Sequence, residues 1–178
     1  ESMKRYLTEA NSNAGGTFLF SQRTDETAAS ARRAVADLLN APRADEIVFG
    51  PNMTSLTFTL SRAIGRTLAP GDEIVVTHLD HDANIAPWLA LEEQGVVVRY
   101  ADFDPGDCTL NMDSLESAIN SRTKLVALGY ASNAVGSIND VARAASLAHA
   151  VGAWLYVDAV HYVPHGPIDV QALDCDFL

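Results

Sequence analysis

Cys108 and Cys175 are the only cysteines among 178 residues. Two thiols are too few for a disulfide framework and suit a reducing, cytoplasmic setting. Basic residues are also sparse: 12 Lys+Arg against 23 Asp+Glu give a net charge of −11. A nucleic-acid surface is basic, so this balance argues against one. Otherwise an acidic surface mainly serves solubility. No apolar run reaches about 18 residues, and no signal-peptide pattern is present, so nothing points to a membrane or to secretion. The phosphate motif GxxxxGK(S/T) and the dinucleotide motif GxGxxG are both absent, which leaves nucleotide binding through them unsupported. Lys4 and Lys124 are the only lysines.

What is present is an alternation of helical and strand patterns in a chain of ordinary globular composition, 48% hydrophobic and 20% charged. Its length suits one domain, residues 1–178. Helices are expected over 1–10, 24–40, 55–68, 83–95, 112–120 and 139–152, where Ala, Leu and a 3.6-residue apolar period recur. Strands are expected over 46–50, 73–77, 96–100, 124–130 and 153–159, with another beginning at 175–178. Residues 102–111 read as a loop. Alternating strands and helices imply right-handed βαβ crossovers and a mostly parallel sheet, an α/β fold. The all-apolar runs VVV and WLYV fit burial on both faces.

Such sheets bind ligands beyond the carboxyl ends of their strands, and polar clusters follow four of the predicted strands. GPNMTS (50–55) leads into a helix, whose first N–H groups, with Thr54 and Ser55, suit a phosphate; an ordinary N-capped loop is the plain alternative. HLDHD (78–82) offers a solvated turn, a metal site through His78, Asp80 and His81, or a histidine stacked on a flat ligand. It lacks the HxHxDH spacing of metallo-β-lactamase-type hydrolases. Asn133 shapes a turn or meets a ligand. Asp158, ending AWLYV, is a cap, an ion-pair partner or a ligand group, and His161 is a core histidine or a ligand group. Cys108 and Cys175 lack the neighbouring bases of an activated thiolate.

The combination is more specific than its parts. A buried carboxylate can keep a pyridine nitrogen protonated through a charge-assisted hydrogen bond. A protonated pyridinium is the electron sink of pyridoxal phosphate (PLP). With DEIVFGPNMTSLTF, GDEIVVTHLDHDANIAPW, YASNAVGSIND, YVDAVHYVPH and IDVQALDCDFL, the sequence resembles the class V aminotransferase family of fold-type I PLP enzymes, nearest to the cysteine desulfurase branch.

The resemblance implies a three-layer α/β/α large domain and a cytoplasmic homodimer that acts on an amino acid through Schiff-base and carbanion chemistry. It places Met53 and Thr54 at the cofactor phosphate, His81 on the ring face as stacker and proton carrier, and Asn133 near the cofactor hydroxyl and substrate. Asp158 falls on the ring nitrogen, Val160 on the other face, and His161 beside the ring hydroxyl in place of a glutamine. Asn52 stands where a phosphate-loop glycine is common. The family's Schiff-base lysine, sulfur-accepting cysteine and carboxylate-binding arginine are expected after Leu178, so the chain by itself is expected to be inactive. Two other readings are a non-catalytic binding module on the same fold and a metal-dependent hydrolase using His78, Asp80 and His81.

Overall fold

The computed structural model describes all 178 residues, which pack into two compact units, Glu1–Phe49 and Gly50–Leu178. The first holds α1 (Ser2–Glu9), α2 (Leu19–Leu39) and a 3₁₀ turn at Ala44–Glu46. Helix α2 starts five residues before its expected start at residue 24. The buried Ser21 organises that start: its hydroxyl donates to the Asn13 carbonyl and accepts the Gly16 N–H, both at 2.6 Å. Asn40, in the left-handed region at φ 52°, ends α2. The strand expected over 46–50 does not form. A strand needs a neighbour for its N–H and C=O groups, and this segment has none; Val48 and Phe49 stay 71% and 53% exposed.

The second unit runs α3 (Met53–Gly65), β1 (Glu73–Thr77), α4 (Ala86–Leu89), β2 (Val97–Ala101), β3 (Phe103–Asp104), β4 (Thr109–Leu110), α5 (Met112–Ala118), β5 (Thr123–Gly129), α6 (Val141–Ala150), β6 (Trp154–Asp158) and α7 (Val170–Leu173). Strands β2, β1, β5 and β6 form a parallel sheet in that spatial order. The helix expected over 83–95 is interrupted. Pro87 has no N–H to give the carbonyl four residues back, and 3₁₀ turns at Asp82–Asn84 and Ala90–Gln94 flank the single turn of α4. Within 102–111, read as a loop, β3 and β4 pair as a small antiparallel hairpin. At the chain's end Phe177 bridges Tyr156 in parallel, as the apolar CDFL run suggests.

The sheet is covered on both faces. Val75, Val126, Leu128, Leu155 and Val157 pack with Leu115 of α5 and Ala144, Ala145 and Ala148 of α6. Ile74, Val76, Leu125 and Ala127 pack with Ile64 of α3 and with Trp88 and Leu91. The alanines let α6 lie close to the sheet, and Trp88 is fully buried. The result is a three-layer α/β/α arrangement. Glu73, at the amino end of β1, is 1% exposed and is held by Arg122 at 2.5 Å, Arg99 at 3.4 Å and Asn120 at 2.7 Å. Burial works against the Glu73 charge, but the bonds from Asn120 and Arg122 and the charges of Arg122 and Arg99 outweigh it, so its carboxyl lies below its usual range.

Chain direction across the sheet positions the site. From β1 the chain moves outward to β2, then returns past β1 to β5 and on to β6. The connections leaving β1 and β5 therefore diverge, and a crevice opens above their carboxyl ends.

Candidate active site

That crevice is a cleft of about 440 Å³, and every residue singled out for a cofactor in the sequence lines it: Met53 and Thr54, His81, Asn133, Asp158, Val160 and His161. Four elements bring them there.

The first is the start of α3. Asn52 caps it, its Oδ1 accepting the Ser55 N–H at 2.9 Å, so the asparagine that departs from the glycine pattern has a local task. The N–H groups of Met53 and Thr54 remain uncapped, as first-turn donors do when nothing reaches them. One turn in, the buried Thr57 gives its hydroxyl hydrogen to the Met53 carbonyl at 3.0 Å and stands 2.7 Å from the Tyr156 hydroxyl on β6.

The second is the turn after β1. Thr77 donates to Asp80 Oδ2 at 2.5 Å and accepts the Leu79 N–H at 3.2 Å. The Asn84 amide reaches Asp80 Oδ1 at 3.2 Å, and its Oδ1 accepts from Trp88 Nε1 at 3.4 Å. This network holds the turn that presents His81. The His81 Nδ1 accepts the Ala83 N–H at 3.0 Å. A backbone N–H can only donate, so the neutral ring carries its hydrogen on Nε2. Burial pushes the Asp80 carboxyl up to about 6, against the bonds from Thr77, Asn84 and the Gly129 N–H, and the Asp158 charge adds to the rise.

The third element is the loop after β5. Ser132 Oγ gathers the N–H groups of Ala134 and Val135, which shapes the exposed turn carrying Asn133. The buried Asn139 lines the cleft, gives its amide to the Gly129 carbonyl at 2.7 Å, and keeps an unpaired Oδ1. The fourth is the end of β6. Asp158 lies opposite Gly129 in the β5–β6 register, and its Oδ1 accepts the Val160 N–H at 3.0 Å. Val160 is 61% exposed, and the His161 ring lies 5.4 Å from that of His165.

The metal-site alternative is not borne out by this geometry. His78 stacks on Tyr100 at 4.4 Å, next to Asp102, and does not line the cleft, while Asp80 and His81 are engaged in the turn. No three His, Cys, Asp or Glu side chains are grouped to hold a metal ion. Lys124 begins β5, at the sheet end opposite the cleft, and faces Asp72 at 3.8 Å. Burial pushes the Cys175 thiol up to about 11, which makes it a poor nucleophile.

Sequence reasoning missed Asn84, Asn139 and Gly129 as parts of this site, and gave Asp80 only a metal role. A signal existed for one of them: a glycine ending an apolar strand marks a close approach. Here that approach is by Asp80, since a Cβ at Gly129 would lie 2.7 Å from Asp80 Oδ1.

A parallel α/β/α fold with helix-start donors, a ring-bearing turn and a carboxylate around one switch-point cleft is the arrangement in which such sheets bind ligands. The chain belongs to the class V aminotransferase family, whose model matches residues 1–178. It is 38% identical over 176 residues to a probable cysteine desulfurase of Methanothermobacter thermautotrophicus, covering 98% of this chain and 43% of that protein. It is 36% identical over 175 residues to the aminotransferase-like protein FGM3 of Gibberella zeae, covering 97% and 43%. The crystal structure of the cysteine desulfurase CsdA (S-sulfonic acid) from Escherichia coli superposes with a TM-score of 0.85 at 33% identity, covering 99% of this chain and 45% of that one. The chain thus spans less than half the length of these relatives. The fold is the fold-type I large-domain fold of that family. No helix is long and apolar enough to cross a membrane.

Proposed function

We propose that residues 1–178 form the cofactor-binding core of a PLP-dependent enzyme that acts on an amino acid by cysteine-desulfurase-like or class V aminotransferase-like chemistry. The observation that carries this is the meeting of Thr54, His81, Asn133, Asp158, Val160 and His161, from four separate elements, in one cleft at the carboxyl ends of the strands.

The donor set fits the cofactor. Uncapped N–H groups of Met53 and Thr54, with the Thr54 hydroxyl, suit a phosphate at a helix start. Asp158 spends one oxygen on the Val160 N–H and accepts no other bond from the chain, so Oδ2 is open to a protonated ring nitrogen. Exposed Val160 and the His81 ring supply two faces for a flat ring, and Asn133 and His161 supply polar groups for its substituents. When bound, PLP supplies an electron-poor ring that accepts charge from the substrate's Cα bonds. In this chain Asp158 holds the ring proton that keeps the ring electron-poor. With Nδ1 accepting from Ala83, neutral His81 has its Nε2–H left to donate a hydrogen bond into the cleft.

The assignment extends to a cytoplasmic homodimer with a small amino-acid substrate, supported by the family membership. Lys124 stands at the sheet end opposite the cleft and faces Asp72, so it is not placed to bond the cofactor. The test is the full-length protein. It should purify with PLP, as shown by its visible absorbance and by release of the cofactor on denaturation. With cysteine it should release sulfide, or with an amino acid and a 2-oxo acid it should transfer the amino group. A full-length protein that neither carries nor takes up PLP overturns the reading.

A further inference from the structure

Asp80 braces the turn that presents His81, but its charge has no task in the site as described. Three donors hold it, from Thr77, Asn84 and the Gly129 N–H. The strand end it approaches is bare, because any side chain at Gly129 would meet its Oδ1 at 2.7 Å. Gly129 in turn pairs with Asp158. Since β5 lies between β1 and β6, the two carboxylates flank one glycine from either side at the floor of the cleft.

Within residues 1–178 no lysine or arginine balances them. The other titratable groups lining the cleft are His81, on Asp80's own turn, and His161, after β6; α3 contributes Met53 and Thr54, which do not titrate there, and no lysine or arginine lines the cleft. The contrast lies in the same sheet. Glu73, also buried, has Arg122 and Arg99 against it. Burying charge without a partner is costly, and Glu73 shows how this fold meets that cost where no ligand is involved. A second unmet need lies beside Asp80: Asn139 is 7% exposed, lines the cleft, and its Oδ1 has no donor.

We propose that Asp80 is a second ionic partner of the bound ring, so that with Asp158 it makes the cleft a two-carboxylate seat preferring a cationic heterocycle to a neutral one. This rests on the reading that a phosphorylated pyridine binds here. Burial, helped by the Asp158 charge, brings the Asp80 carboxyl to about 6. A cation in the cleft favours its ionised form, so binding expels the Asp80 proton, and affinity rises as pH climbs through that value.

Asp80→Asn tests the charge and keeps the shape: the Asn oxygen accepts from Asn84 and Gly129 while its amide faces Thr77. The probe is pyridoxamine 5′-phosphate, which carries ring and phosphate but forms no bond to a lysine. Its Kd is measured on the full-length wild-type protein and on the variant, each freed of PLP, from about pH 5 to about pH 8. The ratio of the two constants cancels the phosphate's own titration, which falls near 6. The expected ratio is close to one at the acid end, where Asp80 is neutral, and roughly three- to tenfold in favour of wild type at the alkaline end. A ratio that stays at one overturns the role of Asp80 and leaves the cofactor reading standing. If wild type binds no pyridoxamine phosphate at any pH, both fall. A second measurement needs no variant. The side-chain carboxyl ¹³C resonance of Asp80 is set apart by titrating well above ordinary aspartates, and its midpoint should move down when the probe saturates the protein. An unmoved midpoint overturns the proposal.

Discussion

The Tyr156 hydroxyl on β6 donates to Thr57 Oγ1 on α3 across 2.7 Å, because the Thr57 hydrogen is already committed to the Met53 carbonyl. The bond is buried, and it ties the first turns of α3 to the strand that ends, two residues later, at Asp158. Two ends of the candidate ligand site are thus set at a fixed separation by one hydrogen bond.

Replacing Tyr156 with Phe removes that donor and keeps the ring that packs edge-on to Trp88 at 5.3 Å. The expected loss is about 1 kcal/mol of unfolding free energy, read from urea titrations of wild type and Tyr156→Phe. Phosphate-containing ligands should also bind more weakly, because the helix start is less firmly placed. Unchanged stability would show that the bond contributes nothing.

Asp158→Asn keeps shape and removes charge. A charge-assisted hydrogen bond contributes roughly 1.5–3 kcal/mol, so turnover by the full-length enzyme should fall roughly tenfold to a hundredfold at about 1.36 kcal/mol per decade. PLP should still bind through its phosphate. Steady-state kinetics with unchanged turnover would remove Asp158 from the ring nitrogen.

His149, in the last turn of α6, faces Asp176 at 3.0 Å and Asp174 at 3.3 Å. The Asp176 bond is the largest cause of its raised pKa; burial opposes it, and the Asp176 and Asp174 charges add to the rise. A raised folded-state value means the contribution is fully present below the ordinary 6.5 and fades as pH rises through the folded value. Urea midpoints measured from mildly acid to mildly alkaline pH should therefore fall more for wild type than for His149→Ala. Parallel profiles would contradict the assignment.

Glu73 has the opposite sign. Its carboxyl lies below the ordinary 4.5, so its contribution is present above that value and is lost as pH falls through the folded one. Glu73→Gln should be clearly less stable than wild type at neutral pH, with the gap closing in acid. A gap that does not depend on pH would mean that shape, rather than charge, holds Arg122 and Arg99.

Much of the second unit was legible because its strands are apolar on both faces. Strand β1 falls on its expected residues, 73–77, and β2, β5 and β6 lie within a residue or so of theirs. In a sheet covered by helices on both sides, an unbroken apolar run is itself the signal. The polar residues that end those runs then marked the site. The run at 46–50 carries the same local signal and makes no strand, since pairing depends on a neighbour that no local pattern can supply. Pro87 falls in the first turn of α4, where a residue without an N–H is tolerated, so no helix reaches back through it to residue 83.

By itself the amino-acid sequence determined the order of elements, the parallel α/β class and the side chains available at each strand end, because period, propensity and turn chemistry act over a few residues. Tertiary structure alone decided that Asp80 presses on Gly129, that Asn139 holds the Gly129 carbonyl, and that Tyr156 reaches Thr57. Two of these contacts join residues far apart along the chain and the third spans a loop, and each turns on which strands lie side by side. That order, β2-β1-β5-β6, places β5 between β1 and β6. It thereby turns two carboxylates from separate stretches of sequence into neighbours across one glycine.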